Sequence, residues 1–190
     1  ARGTGGVYAT AERCAVTTTL AGATGGVVTL IVIKIRDHIF DLLACLNGIL
    51  AGLVAITACC AFVDPWAAVV IGAIGAVVYI GAAMLLLKFQ IDDPLEAFPI
   101  HGASGAWGCL AGTLFNKQGH QVTAGFTDQI WGLFYGGGGR LLGVNALGMV
   151  VITVWTVGLV TPLFLVMKFT GILRISPEEE IIGNDVSKHG

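Results

Sequence analysis

Formal charge disappears from long stretches of this chain, and the stretches have a common length. Residues 14–33, 42–63, 65–87 and 141–167 contain no Asp, Glu, Lys or Arg, and residues 97–116 contain only one histidine, His101, besides uncharged types. A helix rises about 1.5 Å per residue, so about 20 apolar residues cross a bilayer core of roughly 30 Å. All five stretches reach that length. Gly and Thr dilute several of them, Thr17 to Thr19 most of all. Five such runs as buried helices of a soluble protein would need a polar shell that the chain lacks. The pattern predicts an all-α fold, a polytopic membrane helical bundle of five transmembrane helices.

Short polar connectors occupy residues 34–41, 64–65 and 88–96. One long connector, about 117–140, starts polar, turns aromatic at Trp131, Phe134 and Tyr135, and ends in GGGGR. Beyond Lys168 the chain turns polar and stays so. Residues 1–170 therefore read as a membrane domain and 171–190 as a tail. In that tail Ser176 caps a short helix, Pro177 suits its first position and Glu179 falls at the third, a capping box. Gly183 stops the helix.

Composition agrees with the pattern. Charged residues make up 12% of 190, against about 25% in a soluble domain, and 55% are hydrophobic. Mean hydropathy is +0.85. A net charge of −2 leaves no nucleic-acid footprint. The cysteines (Cys14, Cys45, Cys59, Cys60, Cys109) lie within the apolar runs without CxxC spacing, and read as small apolar packers. The chain opens at Ala1 with no Met and no signal-peptide pattern, as expected of a fragment. With the tail inside, Lys34, Arg36, Lys88, Lys168, Arg174 and Lys188 lie inside and Arg2, Arg13, Lys117 and Arg140 outside, so basic residues favour a cytoplasmic tail.

One ionisable group changes the picture. In IDDPLEAFPIHGASGAWG (residues 91–108), Asp93 caps a helix start, Pro94 takes the first helical position and Glu96 the third, reaching back as in a capping box. Eight helical steps separate Asp93 from His101, about 12 Å of rise, close to half of the roughly 30 Å core. His101 is expected near the bilayer midplane, with Pro99 bending the helix below it. At that depth its ring nitrogens need protein or a cavity, not lipid. Ala97, Gly105, Gly108 and Gly112 fall on its helical face by i, i+4 spacing. Such a small-residue face suits either close helix packing around a structural histidine or the wall of a narrow pore. Burial disfavours the charged imidazole. The neutral ring offers one donor and one acceptor, suited to a small neutral hydrogen-bonding molecule or to proton relay.

Several stretches then carry a resemblance. FQIDDPLEAFPIHGASGAWG (89–108) is similar to the tenth helix of the ammonium transporters, the Amt/Mep/Rh family. CAVTTTLAG (14–22), LNGILAGLVAITACC (46–60) and DPWAAVVIG (64–72) resemble helices seven, eight and nine of its plant-type branch. GLFYGGGGRLLG (132–143), LRISPEEE (173–180) and GNDVSKHG (183–190) resemble its entry to helix eleven and its regulatory tail.

The resemblance implies a partial fold, five of eleven helices, from a plasma-membrane trimer whose subunits each hold a pore for ammonia derived from ammonium. It implies that His101 is the second of two mid-pore histidines. Leu50 and Ala97 match hydrophobic pore-lining positions, and Glu96 an acidic position at the base of helix ten. Ser187 matches a tail position that is phosphorylated in plant members. The first histidine and most of the outer vestibule belong to helices before Ala1. The implied partners are ammonium or ammonia, the lipid bilayer and other transporter subunits in homo- or heterotrimers. No enzyme activity, cofactor or metal is expected.

Other features have plainer readings. GGGGR lacks the Lys-Ser/Thr end and the preceding strand of a phosphate loop. Asn47, inside an apolar run, needs a partner for its amide and reads as a helix-packing residue. His38, His120 and His189 lie in polar segments without metal spacing. The tryptophans read as interface anchors or packing residues. A non-transporting membrane subunit that assembles with and regulates ammonium transporters is the alternative function. A haem carrier would need paired axial histidines, and the apolar runs hold only one.

Overall fold

The computed structural model describes residues 4–126 and 129–183. The apolar runs are helices: α1 (Thr4–Asp37), α2 (Leu42–Thr57), α3 (Pro65–Lys88), a π-helical turn (Phe98–Ala103) continuing into α4 (Ser104–Phe115), and α6 (Arg140–Phe169). Short helices α5 (Gln118–Thr123) and α7 (Pro177–Ile182) and a 3-10 turn (Leu133–Tyr135) lie in the polar segments. Among the described residues there is no strand. Residues 6–37 of α1, all of α3 and all of α6 are long and apolar enough to cross a membrane. The 16 residues of α2 give about 24 Å of rise. The π turn and α4 add 6 and 12 residues to one continuous rod. This is a multi-pass membrane helical bundle.

The chain divides into two compact units, residues 1–147 and 148–190. In the first, α1 packs against both α2 and α3, and α2 and α3 in turn hold the π turn and α4. The core is made of small and β-branched residues: Ala21, Ala55, Ile56, Val63, Ala67 and Ile71 are fully buried, with Phe115 closing one end. Helices come this close because side chains are missing where they meet. A Cβ on Gly52 or on Gly72 would stand 2.3 Å from the same carbonyl oxygen, that of Ala21. Three backbones therefore converge on one point of α1, the close approach that small residues permit in membrane bundles.

The uncharged run 42–63 is not one helix. α2 stops at Thr57, and a turn follows in which Cys59 N donates to Ile56 O (3.0 Å) and Phe62 N to Cys59 O (2.8 Å). Lys117 N closes on Phe62 O at 2.9 Å, which fixes the turn to the long connector. The buried Thr17 of α1 donates its hydroxyl to Cys60 O at 2.9 Å, and Arg13 Nη1 reaches Ala61 O at 3.1 Å.

In the second unit, α7 has the capping box expected of Ser176 and Glu179. The Ser176 hydroxyl accepts from Glu179 N, and the Glu179 carboxylate accepts from Ser176 N. Gly183 ends it with φ 87. Ser187 lies outside the described residues.

Candidate functional site around His101

The helix that holds His101 begins later than the spacing predicts. Residues 91–96 are not helical, and Glu96 has φ 53, a left-handed conformation that breaks any helix begun at Pro94. Asp93 does cap, but onto later amides: its carboxylate accepts from Ala97 N (2.9 Å) and Phe98 N (2.8 Å). Glu96 does not reach back to the backbone. Its Oε2 accepts from Asn47 Nδ2 at 2.8 Å and from the Tyr79 hydroxyl, which ties α2 and α3 to the base of the π turn. Asn47 thus finds its partner in a carboxylate 49 residues away. A cavity of about 540 Å³ opens beside this triad, lined among others by Arg36, Asp41, Gln90 and Asp93.

Because residues 93–96 are not helical, the predicted 12 Å rise from Asp93 to His101 does not hold. Depth within the bundle is set by register against α3. The Ser104 hydroxyl donates to Gly75 O at 3.3 Å, and Trp107 Nε1 donates to Ile71 O at 3.0 Å. This antiparallel register brings residue 101 opposite residue 78, within two residues of the midpoint of the 24-residue α3.

Proline and serine shape the π turn. Pro99 has no N–H to donate. Ser104 N bonds the carbonyl of Pro99 five residues back, and the Ser104 hydroxyl bonds it again at 3.1 Å. The wider turn rotates the helix faces. Pro99, Ile100 and Ser104 are buried, whereas Ala97, Phe98 and His101 are exposed.

The glycines expected on the histidine's face lie elsewhere. A Cβ on Gly108 would meet Ala55 O at 2.5 Å, one on Gly112 the Cys59 side chain at 3.2 Å, and one on Gly105 the Val54 side chain at 3.6 Å. Gly105, Gly108 and Gly112 form the seam with α2, and His101 stands outside that seam. A spacing of 3.6 residues per turn does not hold through residues 98–103, where the turn is wider.

Leu50 joins the exposed set, with 45% of its surface accessible. α2 and α4 run parallel, with Asn47 at Glu96 and Val54 at Gly105. Residue 50 therefore falls level with residues 99–101. Of the sequence-predicted residues, the structure brings Asn47, Glu96, Asp93 and Ala97 together at the base of the helix, and sets Leu50 and His101 at one level above them.

A second polar cluster, which sequence reasoning missed, lies at the other end of α3. Asp64 precedes that helix, and its carboxylate accepts from Lys117 Nζ (2.9 Å) and the Tyr135 hydroxyl (3.2 Å), with His120 Nε2 at 2.8 Å. Burial pushes the Asp64 carboxyl up. Hydrogen bonds from Lys117, His120 and Tyr135, with the Lys117 charge, outweigh it and hold the group below its ordinary value. Burial, then the Asp64 charge, pushes the Tyr135 phenol up. His120 is thus part of a packed hub within the polar connector. Edge-on aromatic pairs extend from it: Trp66 on Phe115 (5.8 Å) and Phe115 on Phe134 (5.0 Å). Among the described residues no group of three His, Cys, Asp or Glu could hold a metal.

Comparison with known proteins matches this arrangement to one family. The Ammonium Transporter Family model aligns with residues 3–190. Ammonium transporter 1 member 2 of Oryza sativa subsp. japonica is 42% identical over 186 residues, which is 97% of this chain and 38% of the relative. Ammonium transporter 1 member 3 of Solanum lycopersicum is 44% identical over 190 residues and 41% of its length. The crystal structure of Saccharomyces cerevisiae Mep2 superposes with a TM-score of 0.83 at 30% identity, covering 95% of this chain and 41% of that one. A sensor Amt protein follows at TM-score 0.77 and 32% identity, with 95% of this chain and 42% of that one covered. The chain thus spans about two fifths of the proteins it resembles, and over that length it belongs to the ammonium transporter family.

Proposed function

We propose that this chain forms one wall of an ammonium-conducting pathway, with the His101 imidazole as the hydrogen-bonding group at mid-membrane depth. The observation that carries the reading is the exposure of His101, level with the middle of α3 and with the exposed Leu50, on a helix whose neighbouring Pro99, Ile100 and Ser104 are buried. An imidazole at the bilayer centre is costly unless it meets protein or a polar guest. The facing wall carries the first histidine of the family pair.

The physics follows from charge. Ammonium inside an apolar passage would lose its hydration without compensation, a cost of many kcal/mol. Losing the proton at the mouth leaves ammonia, a small neutral molecule that donates and accepts hydrogen bonds. Leu50 and Ala97 present apolar surface to it, and a neutral His101 offers one donor and one acceptor nitrogen. Potassium has no proton to lose and finds no ring of carbonyls to replace its water. The chain's role is conduction, not chemistry on a substrate. Glu96, Asn47 and Asp93 hold the base of the helix in place, beside the polar cavity.

The protein sits in the plasma membrane as a homotrimer or a heterotrimer with other ammonium transporters, its tail cytoplasmic. A phosphate on Ser187 beside Asp185 adds like charge and lowers transport by undocking the tail. A Ser187→Asp change that leaves uptake unaltered contradicts that part.

The test of the main reading is His101→Ala in the complete transporter, expressed in cells lacking ammonium transporters. Uptake falls or potassium rejection is lost. Full uptake with intact potassium rejection contradicts the proposal.

A further inference from the structure

Cys14 of α1 and Cys60 of the turn after α2 are 46 residues apart in sequence, yet their sulfurs lie 3.6 Å from each other. Both are partly exposed. Their neighbour Cys59 points the other way, fully packed in the core. The backbone around the pair is already clasped: Thr17 Oγ1 donates to Cys60 O at 2.9 Å and Arg13 Nη1 to Ala61 O at 3.1 Å. A disulfide needs sulfurs about 2.05 Å apart, so roughly 1.5 Å of closure is required.

We propose that Cys14 and Cys60 form an oxidisable dithiol that closes to an intramolecular disulfide, tying α1 to the α2–α3 turn. The oxidant is a low-molecular-weight disulfide such as oxidised glutathione. One cysteine thiolate attacks a sulfur of the oxidant, forming a mixed disulfide and releasing one small thiol. The other thiolate attacks the protein sulfur of the mixed disulfide, forms the Sγ–Sγ bond and releases the second small thiol. The protein loses two electrons and two protons, and the oxidant gains both.

The location suits the chemistry. The pair lies at the same end of the bundle as Asp64 and Lys117, away from Glu96. With the tail cytoplasmic, as the functional reading has it, that end faces outward, where disulfides persist. Cys45 and Cys109 have no such partner within the described contacts and serve as internal references.

The test is differential alkylation of the complete protein solubilised from membranes. It is equilibrated with oxidised glutathione, denatured, alkylated with one reagent, reduced, and alkylated with a second. Cys14 and Cys60 acquire the second label together, a linked peptide appears before reduction, and Cys45 and Cys109 keep the first label. Cys14→Ser abolishes the linked peptide. Cys59→Ala preserves it, which separates Cys60 from its neighbour. Two free thiols after oxidation, or glutathione on each without a cross-link, overturns the inference. Orientation is read separately, by adding the oxidant outside intact cells. A pair that closes in detergent but not from outside upholds the dithiol and contradicts the outward placement.

Discussion

The Ser104 hydroxyl donates to the Gly75 carbonyl at 3.3 Å, side chain to backbone between two antiparallel helices. Ser104 also bonds back to Pro99 O at 3.1 Å, and the two bonds together fix where the π turn sits against α3. His101 lies inside that turn. Its level in the bundle is therefore set by a serine three residues on and a carbonyl of the neighbouring helix, not by where its own helix begins.

The seam between α2 and α4 makes the first prediction. Gly108→Ala puts a methyl group 2.5 Å from Ala55 O, a backbone atom that cannot turn away. Overpacking of this kind costs about 1–3 kcal/mol or more. Gly81→Ala on α3 meets open space and serves as the control. Thermal unfolding in detergent should show a clear loss for Gly108→Ala and none for Gly81→Ala. Equal melting temperatures would mean that the seam is looser than its geometry indicates.

Asp64 makes a prediction about pH. Its folded-state value is held below the ordinary carboxylate value of 3.8. A depressed carboxyl adds stability that is complete above the unfolded value and is lost as pH falls through the folded one. Asp64→Asn removes the negative charge and one of the two acceptor oxygens shared among Lys117, His120 and Tyr135, and should cost about 1–3 kcal/mol. The gap between wild type and variant stays level at neutral and mildly acidic pH and closes only in strong acid. A gap that closes between pH 5 and 7 would assign the effect to another group.

The third prediction concerns coupling. Asn47 and Tyr79 both donate to Glu96. Asn47→Ala and Tyr79→Phe each leave Glu96 one bond short, and the double variant costs less or more than their sum. Residues in one network typically couple by about 0.5–3 kcal/mol. Strict additivity of the three unfolding free energies would show that the two bonds do not share an acceptor in the membrane.

The spans were legible because charge is absent from them over bilayer length, a signal that depends on composition alone. Their ends were less so. α2 stops at Thr57, six residues before the uncharged run does, because a turn can be as apolar as a helix when Thr17 and Arg13 satisfy its carbonyls. The helix start at Asp93 was misplaced because Glu96 takes φ 53 to bond Asn47 and Tyr79, partners 49 and 17 residues distant.

Local capping rules cannot see such partners. The same blindness hid the Asp64 hub, whose donors lie 53 to 71 residues away, and the meeting of Cys14 with Cys60. By contrast, the capping box of α7 is a four-residue feature, and there the residues alone sufficed. Charge pattern and spacing singled out His101 and Ala97, and the motif resemblance added Leu50; the three are exposed where the glycine seam is not.

The most direct measurement is a structure of the complete transporter in lipid with ammonium present. The proposed pathway predicts a narrow conduit bounded by Leu50, Ala97 and His101, with an imidazole nitrogen about 3 Å from density within it. An imidazole that points into the acyl chains, or is sealed in solid side-chain packing with no passage beside it, would contradict the proposal.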